Sequence, residues 1–114
     1  MARFTVYGQA VAKQSFRYVR GGGYTPASVL GWEHAVRVEA RQFDMMHGDI
    51  EVSIEFFLKD RHRKDLDNLS KAILDSIKHV LFDDDSQVVK LTLSKSVDRE
   101  VPRVVIDVKE ASNG

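Results

Sequence analysis

The strongest constraint on the fold is the alternation of residues 49–59, DIEVSIEFFLK. Apolar side chains fall on every second position from Ile50 to Leu58, and mostly charged or polar side chains fill the positions between them. Because successive side chains of a strand point to opposite faces, this pattern predicts a half-buried strand. Such a strand needs a second layer of structure to cover its apolar face.

Two segments with helical spacing can supply that layer. The first runs from Thr25-Pro26, a pair typical of a helix entry, through about Asp44, with its apolar residues at steps of three and four. The second runs from about Asp67 to His79, and its apolar stripe comprises Leu66, Leu69, Ile73, Ile77 and Val80.

The other segments predict strands. Residues 3–7 form one, and residues 13–26 form a hairpin or extended arm that turns at Gly21-Gly22-Gly23. Two later strands each place three residues on one face: Val89, Leu91 and Leu93 in one, and Val104, Ile106 and Val108 in the other. We therefore expect an α+β fold, a two-layer α/β sandwich in which two helices cover one face of a mixed, mostly antiparallel sheet of four to five strands. Residues 1–114 form one domain.

Composition excludes several classes of protein. The chain is 43% hydrophobic and 30% charged, and it contains no cysteine, so disulfides and thiolate metal sites are excluded. No segment approaches the roughly 20 apolar residues that span a membrane, and we expect a cytoplasmic protein. Net charge is zero, yet all four charged residues before Glu33 are cationic. A basic face can therefore coexist with overall neutrality.

Asp65 and Asp67 are separated by one residue at a helix start. If Leu66 points into the core, both carboxylates point outward and can share one Mg²⁺ or Mn²⁺. The alternative is helix capping, for which aspartate is also preferred. Lys71 lies one helical turn after Asp67, so it either pairs with that carboxylate or reaches a phosphate. Asn68 either orients a ligand or serves as a cap.

A second acidic group, Asp83-Asp84-Asp85, follows the predicted second helix. Three adjacent carboxylates repel one another and require solvent, cations or a metal, so a solvated turn and a metal ligand are both open interpretations. Metal-assisted phosphodiester hydrolysis requires an activated water, neutralisation of charge and a cationic surface for the nucleic acid. The chain has candidates for each requirement.

Residues 61–88, RHRKDLDNLSKAILDSIKHVLFDDDSQV, resemble the RusA-type Holliday junction resolvases, whose pattern is a basic run, D-x-D-N-x-x-K on a helix and then D-D-x-Q-V. The resemblance implies a Mg²⁺- or Mn²⁺-dependent homodimer that resolves four-way DNA junctions by paired nicks. It implies that Asp65, Asp67 and Asp85 are the essential carboxylates and Lys71 the catalytic lysine. Asn68 and Asp84 are supporting residues by the same resemblance.

The predicted helix poses a geometric question. A helix from Asp67 to His79 is about 20 Å long, and Asp85 follows its end. Either residues 80–85 fold back along the helix, or Asp85 meets the aspartate pair of a second subunit. We favour a composite site at a dimer interface.

Basic residues of the arm and of the loop before Asp65 are the candidate contacts to DNA: Lys13, Arg17, Arg20, Arg61, Arg63 and Lys64. Two alternatives to a nuclease remain at this point. One is a module of the same fold that binds branched DNA without cleaving it, and the other is a structural domain with solvated acidic turns.

Overall fold

The computed structural model describes residues 1–13, 17–19, 22–24, 27–61 and 65–111. In chain order its elements are β1 (Ala2–Tyr7), β2 (Arg17–Val19), β3 (Gly22–Tyr24), α1 (Ala27–Ala40), β4 (Ile50–Leu58), α2 (Leu66–Ile77), a 3₁₀ turn (Asp85–Gln87), β5 (Val88–Val97) and β6 (Arg103–Glu110). The predicted helix entry at Thr25-Pro26 lies outside the described residues.

The main sheet has four strands in the order β1-β6-β4-β5. The pairs β1·β6 and β4·β6 are antiparallel, and β4·β5 is parallel. Strands β2 and β3 form a separate antiparallel hairpin. The α+β fold with a mixed, mostly antiparallel sheet is therefore confirmed.

The core lies between the sheet and the two helices. The alternating residues of β4 are 0–4% exposed, as the sequence predicts: Ile50, Val52, Ile54, Phe56 and Leu58. The stripe of α2 packs against them, and its Leu69, Ile73 and Ile77 are fully buried. Each such side chain contributes about 1.5–3 kcal/mol relative to exposure. Neither described helix is long and apolar enough to span a membrane.

Strand β4, helix α2 and strand β5 form a crossover unit. Because β4 and β5 are parallel, the helix between them must run back along the sheet. Helix α2 therefore begins at the C-terminal ends of β4 and β5, where Leu58 pairs with Val97, and ends where β5 begins. Ligand sites of open sheets with parallel strands commonly lie at this carboxyl edge.

Two predicted boundaries differ from the structure. Helix α1 ends at Ala40 and not near Asp44, and Phe43 packs its ring against Phe4 from the following turn, with ring centroids 5.7 Å apart. In the hairpin, Val19 pairs with Gly22, so Gly22 and Gly23 lie in a strand and not in the predicted turn. The third glycine, Gly21, lies outside the described residues.

The predicted face of β5 is also corrected. Ile50 pairs with Val88, but Glu51 pairs with Lys90, so Val89 is an extra residue in β5, a β-bulge. A one-residue bulge reverses the alternation, and Val88 rather than Val89 therefore shares a face with Leu91 and Leu93. Val89 is 54% exposed. The bulge depends on pairing with β4, which local periodicity does not reveal.

Candidate active site

Asp65 and Asp67 lie at the start of α2, and both are exposed. Asp65 occupies the cap position with φ −70° and ψ 130°, and its carbonyl accepts the N–H of Leu69 at 3.0 Å. Its side chain makes no capping hydrogen bond. The capping interpretation therefore does not account for this carboxylate, which is left available beside the free N–H groups of the first helical turn.

Lys71 is exposed one helical turn after Asp67, and within the described residues it forms no ion pair with that carboxylate. The structure therefore does not contain the i,i+4 ion pair between Asp67 and Lys71. Asn68 is half-buried, and its carbonyl accepts the backbone N–H of Lys13 at 2.9 Å. The first turn of α2 is therefore joined directly to the segment that leads into the β2–β3 hairpin.

The three consecutive aspartates have different partners. The Asp83 carboxylate lies 3.1 Å from His79 Nδ1, and the Asp85 carboxylate accepts a hydrogen bond from Lys78 Nζ at 3.4 Å. Asp84 caps the 3₁₀ turn by accepting the backbone N–H of Ser86 at 2.9 Å, and this hydrogen bond lowers its pKa below the ordinary 3.8. The Asp84 carboxylate is thus engaged in holding the turn, whereas the Asp85 side chain is 67% exposed. The Asp85 carboxylate is therefore less engaged with the backbone than that of Asp84, and the roles of both residues stay predictions.

Gln87 fixes the acidic turn to the rest of the protein. Its Oε1 accepts the backbone N–H groups of Asp83 at 2.8 Å and Asp84 at 2.9 Å. Its Nε2 donates to the carbonyls of Met46 at 3.2 Å and Gly48 at 2.9 Å. The sequence interpretation assigned no role to this side chain, although the D-D-x-Q-V pattern contained the signal.

We expect Gln87→Ala to lower the free energy of unfolding by about 2–4 kcal/mol, because four hydrogen bonds, three of them exposed, are lost and each contributes roughly 0.5–1.5 kcal/mol. If Asp85 serves the reaction, the misplaced turn also reduces DNA cleavage by about 10²-fold. Urea denaturation and a cleavage assay measure the two effects. Gln42→Ala is the control, since that side chain makes one exposed hydrogen bond to Glu39. Wild-type cleavage by Gln87→Ala would contradict a role for the placement of the turn.

Asp85 and the Asp65–Asp67 pair lie at opposite ends of α2. Lys78, which holds Asp85, is the C-cap of the helix, whereas Asp67 is in its first turn; these residues are about 17 Å apart along the axis. Within the described ranges, no three His, Asp or Glu side chains are grouped closely enough to hold a metal ion. Residues 80–85 therefore do not fold back along the helix to bring the three carboxylates together in one chain.

Lys13 anchors the arm across both helices. Its ammonium lies 2.6 Å from Asp75 of α2 and 3.8 Å from the buried Glu33 of α1. The hydrogen bond to Asp75 is the main cause that raises its pKa above the ordinary 10.5. Contact of Lys13 with DNA stays a prediction, while the structure gives this residue an anchoring role beside the first turn of α2.

The ion pairs of Lys13 with Asp75 and Glu33 predict that the stability of the fold depends on pH. A raised pKa means that the protonated amine stabilises the folded state, fully so below the unfolded value and progressively less as pH rises through the folded value, above about 10.5. Lys13→Met should lower the free energy of unfolding by about 1–3 kcal/mol near neutral pH. The difference from wild type should shrink in this alkaline range. Lys59→Met, at an exposed site, should change stability by less than about 0.5 kcal/mol.

The remaining candidate contacts to DNA are only partly described. Arg61 is exposed in the loop before α2, and the backbone of Arg17 lies in β2. Arg20, Arg63 and Lys64 lie outside the described residues. Of the described cations, only Arg61 lies near the aspartate pair in sequence, and the contacts of all of them with nucleic acid stay predictions.

Exposed carboxylates and a lysine thus lie together on the first turns of the crossover helix α2. A family model described as Endodeoxyribonuclease RusA matches residues 8–109, nearly the whole chain. The chain belongs to the RusA endodeoxyribonuclease family.

One curated relative is the uncharacterized protein YqaN of Bacillus subtilis (strain 168), which is 40% identical to this chain over 55 residues. That stretch is 48% of this chain and 38% of the relative, so the similarity covers well under half of the relative's length.

Proposed function

We propose that this protein is a Mg²⁺- or Mn²⁺-dependent endodeoxyribonuclease that resolves four-way junctions by paired symmetric nicks. The observation that carries the proposal is the exposed Asp65–Asp67 pair at the start of α2, in which the Asp65 side chain makes no capping hydrogen bond, in a chain of the RusA family. Structural carboxylates at such a position would be expected to cap the helix.

The donor set fits a hard divalent cation. Asp65 and Asp67 offer carboxylate oxygens, the ligands that Mg²⁺ prefers, and they leave positions for water and a phosphate oxygen. Such a cation, when bound, supplies Lewis-acid polarisation of the phosphate and a water of lowered pKa. Asp85 is the proposed third ligand, and Asn68 and Asp84 keep the ligands in place.

Lys71 is proposed to donate a hydrogen bond to the scissile phosphate. Its exposed ammonium has no carboxylate partner among the described residues, so it can offset the negative charge that develops on the phosphate oxygens. Arg61, Arg63 and Lys64 hold the approaching strand through its phosphates, and Lys13 positions the arm that carries Arg17 and Arg20.

We further propose that the active enzyme is a homodimer in which Asp85 of one subunit completes the Asp65–Asp67 pair of the other. Two observations support this arrangement. The pair and Asp85 lie at opposite ends of α2 in one chain, and no described group of three carboxylates could hold a metal ion. Two-fold symmetry then provides two equivalent centres, as paired nicks require.

The test incubates the protein with an end-labelled four-way junction and with linear duplex of the same sequence, in Mg²⁺ or in EDTA. We expect paired nicks in the junction alone and only with Mg²⁺. Cutting in EDTA would contradict the metal proposal, and equal cutting of linear duplex would contradict selectivity for junctions.

The alternative, a module that binds branched DNA without cleaving it, gives a different result in this test. Such a protein retards the junction in a gel with or without the metal and leaves both strands intact. The exposed Asp65, Asp67 and Lys71 favour the enzyme, because carboxylates repel phosphates and a module that only binds DNA gains nothing from exposing them.

A further inference from the structure

Lys71 lies between two carboxylates on one face of α2. Asp67 precedes it by one helical turn and Asp75 follows it by one, so all three side chains project from the same side of the helix. Lys71 is also the only cationic residue of α2. Carboxylates at this spacing are ordinary partners of a lysine, yet Lys71 forms no ion pair with the residues that the structure describes. The freedom of its ammonium therefore depends on what engages these neighbours.

Lys13 engages the carboxylate that follows Lys71. Its ammonium donates to Asp75 Oδ2 at 2.6 Å and lies 3.8 Å from Glu33 Oε2 of helix α1. The Asp75 side chain is 35% exposed and that of Glu33 only 6%, so water solvates neither carboxylate fully and each requires a cation. In the described parts of the chain, Lys13 is the cation that both carboxylates share.

The backbone of Lys13 is bound to the same helix. Its N–H donates to the carbonyl of Asn68 at 2.9 Å, in the first turn of α2, while its ammonium holds Asp75. Asn68 and Asp75 are about 10 Å apart along the helix axis, and Lys71 lies between them. Lys13 is thus fixed at both ends, and its contacts with α2 enclose the turn that carries Lys71.

We propose that Lys13 is a positioning residue for Lys71: by holding Asp75 and Glu33, it leaves the Lys71 ammonium unpaired and available to a phosphate. Without Lys13, two poorly solvated carboxylates lack a cation, and the only cation of α2 lies one turn from Asp75. An ammonium captured there is withdrawn from the reaction. The inference rests on the proposed role of Lys71 in cleavage, but its first test needs neither DNA nor a metal ion.

Competitive acetylation measures the state of Lys71 directly. A trace of acetic anhydride reacts faster with a free amine than with one held in an ion pair, and peptide mass spectrometry gives the rate for each lysine. In Lys13→Met we expect the acetylation rate of Lys71 to fall by about threefold. The double variant Lys13→Met/Asp75→Asn should return it to the wild-type rate, because the competing carboxylate is gone. Lys59, at an exposed site, is the internal control and should react equally in every variant.

Single-turnover cleavage of a four-way junction in Mg²⁺ measures the consequence for the reaction. Lys13→Met should lower the rate by roughly threefold to tenfold, because an ammonium bound to Asp75 cannot at the same time offset charge on the phosphate. Lys13→Met/Asp75→Asn should recover most of this loss. Asp75→Asn and Lys13→Arg should each cleave within about twofold of wild type, since the first removes the competing carboxylate and the second keeps a cation on it.

The double variant separates this role from two others. If Lys13 acts by contacting DNA, removing the Asp75 carboxylate cannot restore cleavage to Lys13→Met. If it acts only as a strut between the arm and α2, Asp75→Asn reduces cleavage as much as Lys13→Met does. Either result would overturn the proposal, and so would unchanged acetylation of Lys71 in Lys13→Met.

Circular dichroism verifies that each variant folds. If Lys13→Met does not fold, Lys13→Gln takes its place, because glutamine keeps a hydrogen-bond donor for Asp75, and Asp75→Asn still decides against a strut. A wild-type protein that leaves the junction uncut would contradict the proposed function, whereas the acetylation rates would still decide whether Lys13 keeps Lys71 unpaired.

Discussion

Asp67→Asn should abolish junction cleavage while leaving junction binding largely intact. The substitution keeps the shape of the side chain but removes the negative charge that the cation requires, and loss of such a ligand should cost about 10³-fold or more in rate. Binding depends instead on the cationic side chains and on phosphate contacts. Single-turnover cleavage and gel retardation of the same labelled junction measure the two properties separately.

The fold should tolerate this change, because Asp67 is exposed. The loss of its favourable position at the helix start costs less than about 1 kcal/mol. Glu55→Gln removes one negative charge from an exposed position on the uncovered face of β4 and should cleave at the wild-type rate. Full cleavage by Asp67→Asn would remove this residue from the proposed metal site. Loss of junction binding together with cleavage would instead assign Asp67 to DNA recognition.

Mixing two inactive variants should restore cleavage. An Asp67→Asn subunit retains Asp85, and an Asp85→Asn subunit retains the Asp65–Asp67 pair, so a mixed dimer has one intact composite centre. Random exchange of subunits in a two-fold dimer gives about half mixed dimers, each with one of its two centres intact, and therefore roughly a quarter of the wild-type nicking rate. The products should be single nicks, since only one centre per mixed dimer works.

The matched control mixes Asp67→Asn with Asp65→Asn. Both substitutions fall at the same end of α2, so every centre of their mixed dimer lacks one carboxylate and no activity should return. If neither mixture regains nicking after co-refolding, each triad is contained within one subunit, or the dimer does not exchange. Non-denaturing mass spectrometry of differently tagged subunits verifies the exchange. Equal rescue by both mixtures would contradict the composite centre.

Much of the fold follows from local pattern. The β4 alternation and the α2 stripe predict the buried faces correctly because each element faces the core on one side only. Apolar residues therefore recur every two residues in the strand and about every 3.6 residues in the helix. The pattern also places Asp65 and Asp67 at a helix start, where the structure has them. These are properties of neighbours in sequence.

The features that the sequence interpretation missed depend on distant parts of the chain. The bulge at Val89 exists through pairing with β4, and the role of Gln87 depends on carbonyls 39 and 41 residues away. The charge of Lys13 predicts contact with DNA, which stays a prediction, but its ion pair with Asp75, 62 residues further along, is not visible in the sequence pattern. Partners at such separations are brought together by folding and leave no periodic signal.

The crossover arrangement gives α2 the role of a molecular spacer. In the proposed dimer each centre combines the beginning of one α2 with the residue held at the end of the other, so the twelve residues of this helix set the distance between the two cutting positions. Helical rise makes that distance about 18 Å and rigid, where a loop of equal length would leave it variable. An inserted turn of four residues would move the two centres apart by about 6 Å, and the spacing between the paired incisions would change with it.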